Sequence, residues 1–138
     1  MRLLSLSAAV ALGALGCGSA PTPPTTFKDI NTQILKPSCA AFSSCHSAAG
    51  AKSAGNLDLS ADPYTALVNA MCDNNKAKAE TRVRVKPSDS ANSFLYMKLT
   101  LMGSKTGYGD PMPQSNLPLD DYLIQGVKTW IDKGAPND

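Results

Sequence analysis

The residues best equipped for chemistry lie in one short run, Cys39-Ala40-Ala41-Phe42-Ser43-Ser44-Cys45-His46, and His46 is the only histidine in the chain. A cysteine directly before a histidine has a specific use. Its thiolate adds across a haem vinyl group to form a thioether, which leaves the next residue beneath the iron, where a neutral imidazole serves as proximal ligand. The usual spacing for this attachment is C-x-x-C-H. In this chain that frame reads Phe42-Ser43-Ser44-Cys45-His46, with Phe42 at the first cysteine position. Cys39 stands three residues earlier, which widens the segment to C-x5-C-H.

A second axial ligand has to come from elsewhere. Haem iron in electron carriers often takes a methionine thioether opposite the histidine, which raises the potential. Asp110-Pro111-Met112-Pro113 offers one, with a proline on either side to stiffen the backbone. A stiff loop suits a weak ligand because less ordering entropy opposes the bond. Met97 falls on a helical stripe as core filler, whereas Met71 and Met102 stay open beside Met112 as sources of the thioether. His46 and Met112 are therefore the expected iron ligands, and Cys45, with or without Cys39, the expected covalent attachment.

Positioning these groups falls to a modest scaffold. The chain has 138 residues, one domain's worth, and only one Trp, four Tyr and three Phe from which to build a core. That is thin for an unaided domain and suggests that a bound group fills the middle. Ten glycines and ten prolines predict many loops and short helices. Thirteen basic against eleven acidic residues argue against a nucleic-acid-binding face.

Arg2 followed by the apolar stretch Leu3 to Leu15 reads as a secretory signal, predicted over 1–16. It ends Ala14-Leu15-Gly16-Cys17, which is similar to a bacterial lipobox, so Cys17 is the expected site of lipidation and of membrane anchorage. Ser19-Ala20-Pro21-Thr22-Pro23-Pro24-Thr25-Thr26 is read with Cys17 and Gly18 as an unpacked tether over 17–26. The folded unit is expected over 27–138.

Within it, Thr26 caps a helix through Phe27, Ile30, Ile34 and Leu35 that Pro37 should end. Asp62 or Ser60 caps a second through Tyr64, Leu67, Val68 and Met71. Asn74-Asn75 opens a polar loop, and Val83 and Val85 alternate as an extended edge. A third helix carries Phe94, Leu95, Lys98 and Leu99. A last one, capped by Asp120 and closed by Gly134, carries Leu123, Ile124, Val127, Trp130 and Ile131. The two long loops, 38–55 and 102–118, are the anomaly, because structureless loops of about that length are uncommon unless they hold something.

Taken in order, several phrases resemble the small c-type cytochrome domains of bacterial exported proteins, myxobacterial ones especially. They are Gly55-Asn56-Leu57-Asp58-Leu59-Ser60, Tyr64-Thr65-Ala66-Leu67-Val68, Val85-Lys86-Pro87-Ser88-Asp89, Met112-Pro113 and Trp130-Ile131-Asp132-Lys133-Gly134-Ala135. The resemblance runs from Phe27 to Pro136. It departs from the family at the widened cysteine spacing and at Ser88, where glycine is usual. It implies a mainly α, cytochrome c-like fold of three to five short helices with long loops around one covalent haem c. It also implies that the first and last helices pack across each other, and it puts His46 and Met112 on the ligand positions.

Two cysteine assignments remain open. Either Cys39 and Cys45 both bind vinyls, or Cys45 alone does and Cys39 pairs with Cys72 as a disulfide. The basic run Arg82-Val83-Arg84-Val85-Lys86 is read first as a solvated edge, and its functional alternative is that Arg82 or Arg84 pairs with a haem propionate, as a planar donor fork fits a carboxylate. Lys36, Lys52 and Lys105 would ring an exposed haem edge and face an acidic redox partner. The expected function is electron transfer on the periplasmic side of a bacterial membrane, not enzymatic turnover. The alternatives are a haemless, disulfide-bonded exported binding module and a haem sensor or peroxidase-like protein.

Overall fold

The computed structural model describes residues 19–104, 107–114 and 118–138. It is mainly helical, with no strand among the described residues. Among the described residues the α-helices are α1 (Phe27–Ile30), α2 (Pro63–Leu67), α3 (Asn75–Ala79), α4 (Phe94–Thr100) and α5 (Asp121–Asp132).

α1 begins where expected, because the Thr26 hydroxyl accepts from the Asp29 amide at 3.1 Å and fills an open helix-end donor. Pro37 does not end the helix. The chain widens after Ile30 into a π-helix, Asn31–Cys39, that runs through Pro37. In a wide turn the backbone bonds skip one residue further, as when the Ala40 amide donates to the Leu35 carbonyl at 2.9 Å, and the proline ring escapes the clash it meets in an α-turn. The extra residue per turn also lets Ile30, Ile34, Leu35 and Cys39 all reach the core.

α2 is capped by the Asp62 carboxylate, which accepts from the Thr65 amide, and Pro63 fits its first turn. The expected extension to Met71 does not form. Val68 turns extended and bridges Val85 in parallel, and Met71 bridges Val83 antiparallel. Bonds between distant segments, from Val85 N to Leu67 O and from Asn69 N to Val85 O at 3.0 and 2.9 Å, replace the helical ones. The polar loop expected at Asn74-Asn75 is instead α3: the Asn74 side chain accepts from the Ala77 amide, and Lys-Ala-Lys-Ala propagates the turn.

The core gathers Phe27, Ile30, Ile34, Leu35, Leu59, Leu67, Val85, Val127, Trp130 and Ile131. Phe27 is its keystone, edge-on to Tyr64 at 5.1 Å and tilted against Trp130 at 5.5 Å, so α1 packs on α5. Gly134, at φ +99°, turns the chain out of α5. The tail then straps the first helix: Trp130 Nε1 donates to Pro136 O, Tyr64 OH to Ala135 O, and the Phe27 amide to the Asp138 carboxylate at 2.7 Å. A smaller cluster holds Cys72, Ala77 and Tyr108, with Phe94 and Met97 against it. The proline-rich segment is not unpacked throughout, since Pro24 is buried against Gly126 of α5.

Candidate functional site

The π-helix delivers Cys39 into the main core at its end, where it is 9% exposed. The chain then loops outward and returns. The Cys45 amide donates to Phe42 O at 2.9 Å, the His46 amide to Cys39 O at 3.0 Å, and the Leu59 amide to His46 O at 2.9 Å. This backbone lattice brings Cys39, Cys45 and His46 together. Gly50 permits it, because a Cβ there would stand 2.1 Å from the Cys45 carbonyl oxygen. The glycine ending Cys45-His46-Ser47-Ala48-Ala49-Gly50 was the only sequence signal of this close approach.

The two sulfurs differ sharply in setting. Burial, reinforced by the Cys45 sulfur nearby, pushes the Cys39 thiol up to about 12, so it is a poor nucleophile. Cys45 is half-buried, with a face to solvent. Cys72 lies in the separate small cluster, and burial pushes its thiol up to about 11 against the pull of Arg84 and Arg82. Among the described residues Cys39, Cys45 and Cys72 are free thiols, with Cys39 in the main core cluster and Cys72 in the smaller one.

The His46 ring is half-buried and its Nδ1 is buried without a hydrogen-bond partner. Burial holds its pKa below the ordinary 6.5, with Arg84 and Lys98 adding to the depression, while the backbone at Leu57 and Ala54 opposes it. The imidazole is therefore neutral at pH 7, the form that ligates a metal.

Met112 sits on the second loop, half-buried, its amide donating to Lys98 O at 2.9 Å. It borders an open groove of about 720 Å³ shared with Leu99, Leu101, Met102, Asp110 and Pro118. That volume lies in the range of cofactor sites. His46 is not among the residues lining the groove. The structure thus unites the first loop's donors, sets Met112 on the second loop at the groove, and gives Lys98 to both surroundings.

The arginines also separate. Arg82 donates to Glu80 at 2.6 Å, whereas Arg84 forms no salt bridge among the described residues and donates to the carbonyls of Ala66, Gly55 and Asn56. Lys36 and Lys52 are exposed. Cys17 and Lys105 lie outside the described residues. Sequence reading gave no role to Lys98, although a lysine inside the stripe Phe94, Leu95, Leu99 was the available signal. Its Nζ is buried and donates to Tyr108 O at 2.9 Å and to Asp110 O.

Among the described residues no three His, Cys, Asp or Glu side chains gather as a metal site, and no helix is long and apolar enough to cross a membrane. No known protein family, characterised protein or solved structure matches the chain. A covalent haem asks less of the protein than a closed ligand cage: one reachable thiol, an adjacent neutral imidazole, and a thioether. Cys45, His46 with its unpartnered ring nitrogen, and Met112 fit that donor set.

Proposed function

We propose that this chain is an exported monohaem electron carrier of the c type. The observation that carries the reading is the pairing of a half-exposed Cys45 thiol with the neutral, partly desolvated ring of His46 at the next position. Cys45 would hold the porphyrin through a thioether, and His46 and Met112 would be the nitrogen and sulfur donors to its iron. The haem, when bound, supplies a one-electron ferric/ferrous couple. The burial of Cys39 favours a single thioether over two. Lacking a carboxylate partner, Arg84 is the better placed arginine for a propionate.

The protein's own work is to orient and to desolvate. The Cys39–His46 backbone bond fixes the main chain that carries the ring, burial favours its unprotonated form, and the apolar core packed behind Cys39 raises the cost of charge at the site. No substrate-binding residues are needed, only an approach for an acidic redox partner past exposed lysines such as Lys36 and Lys52. Cys17 would carry the lipid that tethers the domain to the periplasmic side of a bacterial membrane. Mass spectrometry of the amino-terminal peptide tests that part, and an unacylated mature terminus overturns it.

Expression in a host with c-type haem assembly, followed by a pyridine haemochrome assay and peptide mapping, tests the central reading. The expected result is one haem per chain on the peptide containing Cys45, lost in a His46→Ala variant that still folds. A colourless, folded wild-type protein overturns it.

A further inference from the structure

We propose that Lys98 is a positioning residue for Met112, gripping the 107–112 loop at three backbone points. This inference rests on the reading of Met112 as a ligand, but its geometry stands independently. The Lys98 carbonyl accepts from the Met112 amide at 2.9 Å. Its ammonium donates to the Tyr108 carbonyl at 2.9 Å and to the Asp110 carbonyl. One residue of α4 therefore holds the loop at 108, 110 and 112, alternate residues leading to the thioether.

The arrangement is unusual for a lysine. Its side chain is only 8% exposed, on the inner side of a short helix next to Leu99. Burying an ammonium is costly, and burial accordingly lowers its pKa from the ordinary 10.5, with Asp110 resisting. Solvent-facing lysines avoid that cost by keeping the head in water. Here both acceptors are backbone carbonyls of one loop, which otherwise has Gly107, Gly109 and Pro111 and little secondary structure. Gly107 and Gly109 adopt positive φ, +83° and +75°. A Cβ at Gly109 would meet the Lys98 ammonium at 3.7 Å, an ordinary contact, so the loop lies against the cation.

A weak thioether bond is easily displaced when its loop is free to leave, because opening gains entropy. Pinning the loop removes that gain. Lys98 acts through Met112 and touches no reacting atom, so what it sets is the loop's residence at the site.

The test compares wild type, Lys98→Met, which keeps the unbranched stem and loses the ammonium, and Lys98→Arg, which restores a charged donor. Amide hydrogen exchange is read in the full-length protein over residues 107–112 and over α5. Lys98→Met, which loses both charged hydrogen bonds, should raise exchange in the loop by about tenfold or more and leave α5 unchanged. Lys98→Arg should restore part of the protection. In the haem-loaded protein, exogenous imidazole should displace the thioether at about tenfold lower concentration in Lys98→Met.

Unchanged loop exchange in Lys98→Met overturns the proposal. So does equal loss of protection in the loop and in α5, which would make Lys98 a general core residue. Should Lys98→Met fail to fold, Lys98→Gln is read by the same two criteria. If no haem is found at all, the function proposed above fails while the exchange measurement still decides what Lys98 does.

Discussion

The amide of His46 donates to the carbonyl of Cys39 at 3.0 Å, so the loop between them closes onto the end of the π-helix. One cysteine of the pair is thereby anchored in the core and the other is presented at the surface. Their roles should separate on mutation. Cys45→Ser should abolish covalent haem, read as loss of haem stain on a denaturing gel. Cys39→Ser should keep the haem and the haemochrome band position of wild type. It should nevertheless lower stability by about 1–3 kcal/mol in urea unfolding, because a hydroxyl replaces a thiol in an apolar setting. A shifted band in Cys39→Ser would mean two thioethers in the wild type.

Trp130 joins the two ends of the fold. Its ring is fully buried, lies against Phe27, and its Nε1 donates to Pro136 O at 2.8 Å. Trp130→Ala should cost about 3–5 kcal/mol. Trp130→Phe keeps the aromatic contact but leaves the Pro136 carbonyl without that donor, and should cost about 1–3 kcal/mol. Urea midpoints at constant m-value check both, and indistinguishable midpoints for the two variants would locate the stability elsewhere.

Much of this scaffold was readable from residue spacing. The caps at Thr26 and Asp62, the apolar face of α5 and the exit at Gly134 follow from local rules that the structure obeys. The misread elements share a cause. Pro37 was read with α-helical geometry, and the π-turn that accommodates it has no local sequence signature of comparable strength. Val68 to Met71 continue a helical stripe, yet pairing with Val83 and Val85 prevails, a competition visible only once the distant segments meet. At the site, residue types and proximity of Cys39, Cys45 and His46 were legible. Burial, which distinguishes the two thiols and isolates Cys72, was not.

Glu80 and Tyr108 should stabilise the fold over a defined pH range. The Tyr108 hydroxyl donates to the Glu80 carboxylate at 2.6 Å, and Arg82 donates to the same group. The hydrogen bond from Tyr108, then Arg82, holds the Glu80 pKa below its ordinary 4.5. The same contact raises the Tyr108 pKa above 10.0, chiefly through its bond to Glu80. A depressed acid contributes stability that is present above its unfolded pKa and lost as pH falls. A raised phenol contributes stability that is present below its unfolded pKa and lost as pH rises. The stability difference between wild type and Glu80→Gln should therefore be greatest between the two, about pH 5 to 10, and shrink on both sides. A difference that stays flat from pH 3 to 11 would show that this pair is not its source.

Gly126→Ala sets two effects of opposite sign against each other. Within α5 alanine is the better helix former, by about 1 kcal/mol. Against that, the new Cβ would stand 2.4 Å from the Pro24 carbonyl oxygen and 2.7 Å from its ring Cδ. Neither atom is the end of a flexible side chain, so the backbone of 19–26 has to move. Overpacking that cannot relax costs about 1–3 kcal/mol, but Pro24 precedes the Thr26 cap and can peel away without disturbing Phe27. The cost to the core is then capped by the smaller cost of releasing Pro24. Gly126→Ala should accordingly leave the urea midpoint within about 1 kcal/mol of wild type while cleavage within 19–26 by a nonspecific protease accelerates several-fold. A large fall in the midpoint with unchanged cleavage would mean that Pro24 is an integral part of the core, and that the folded domain begins there and not at Phe27.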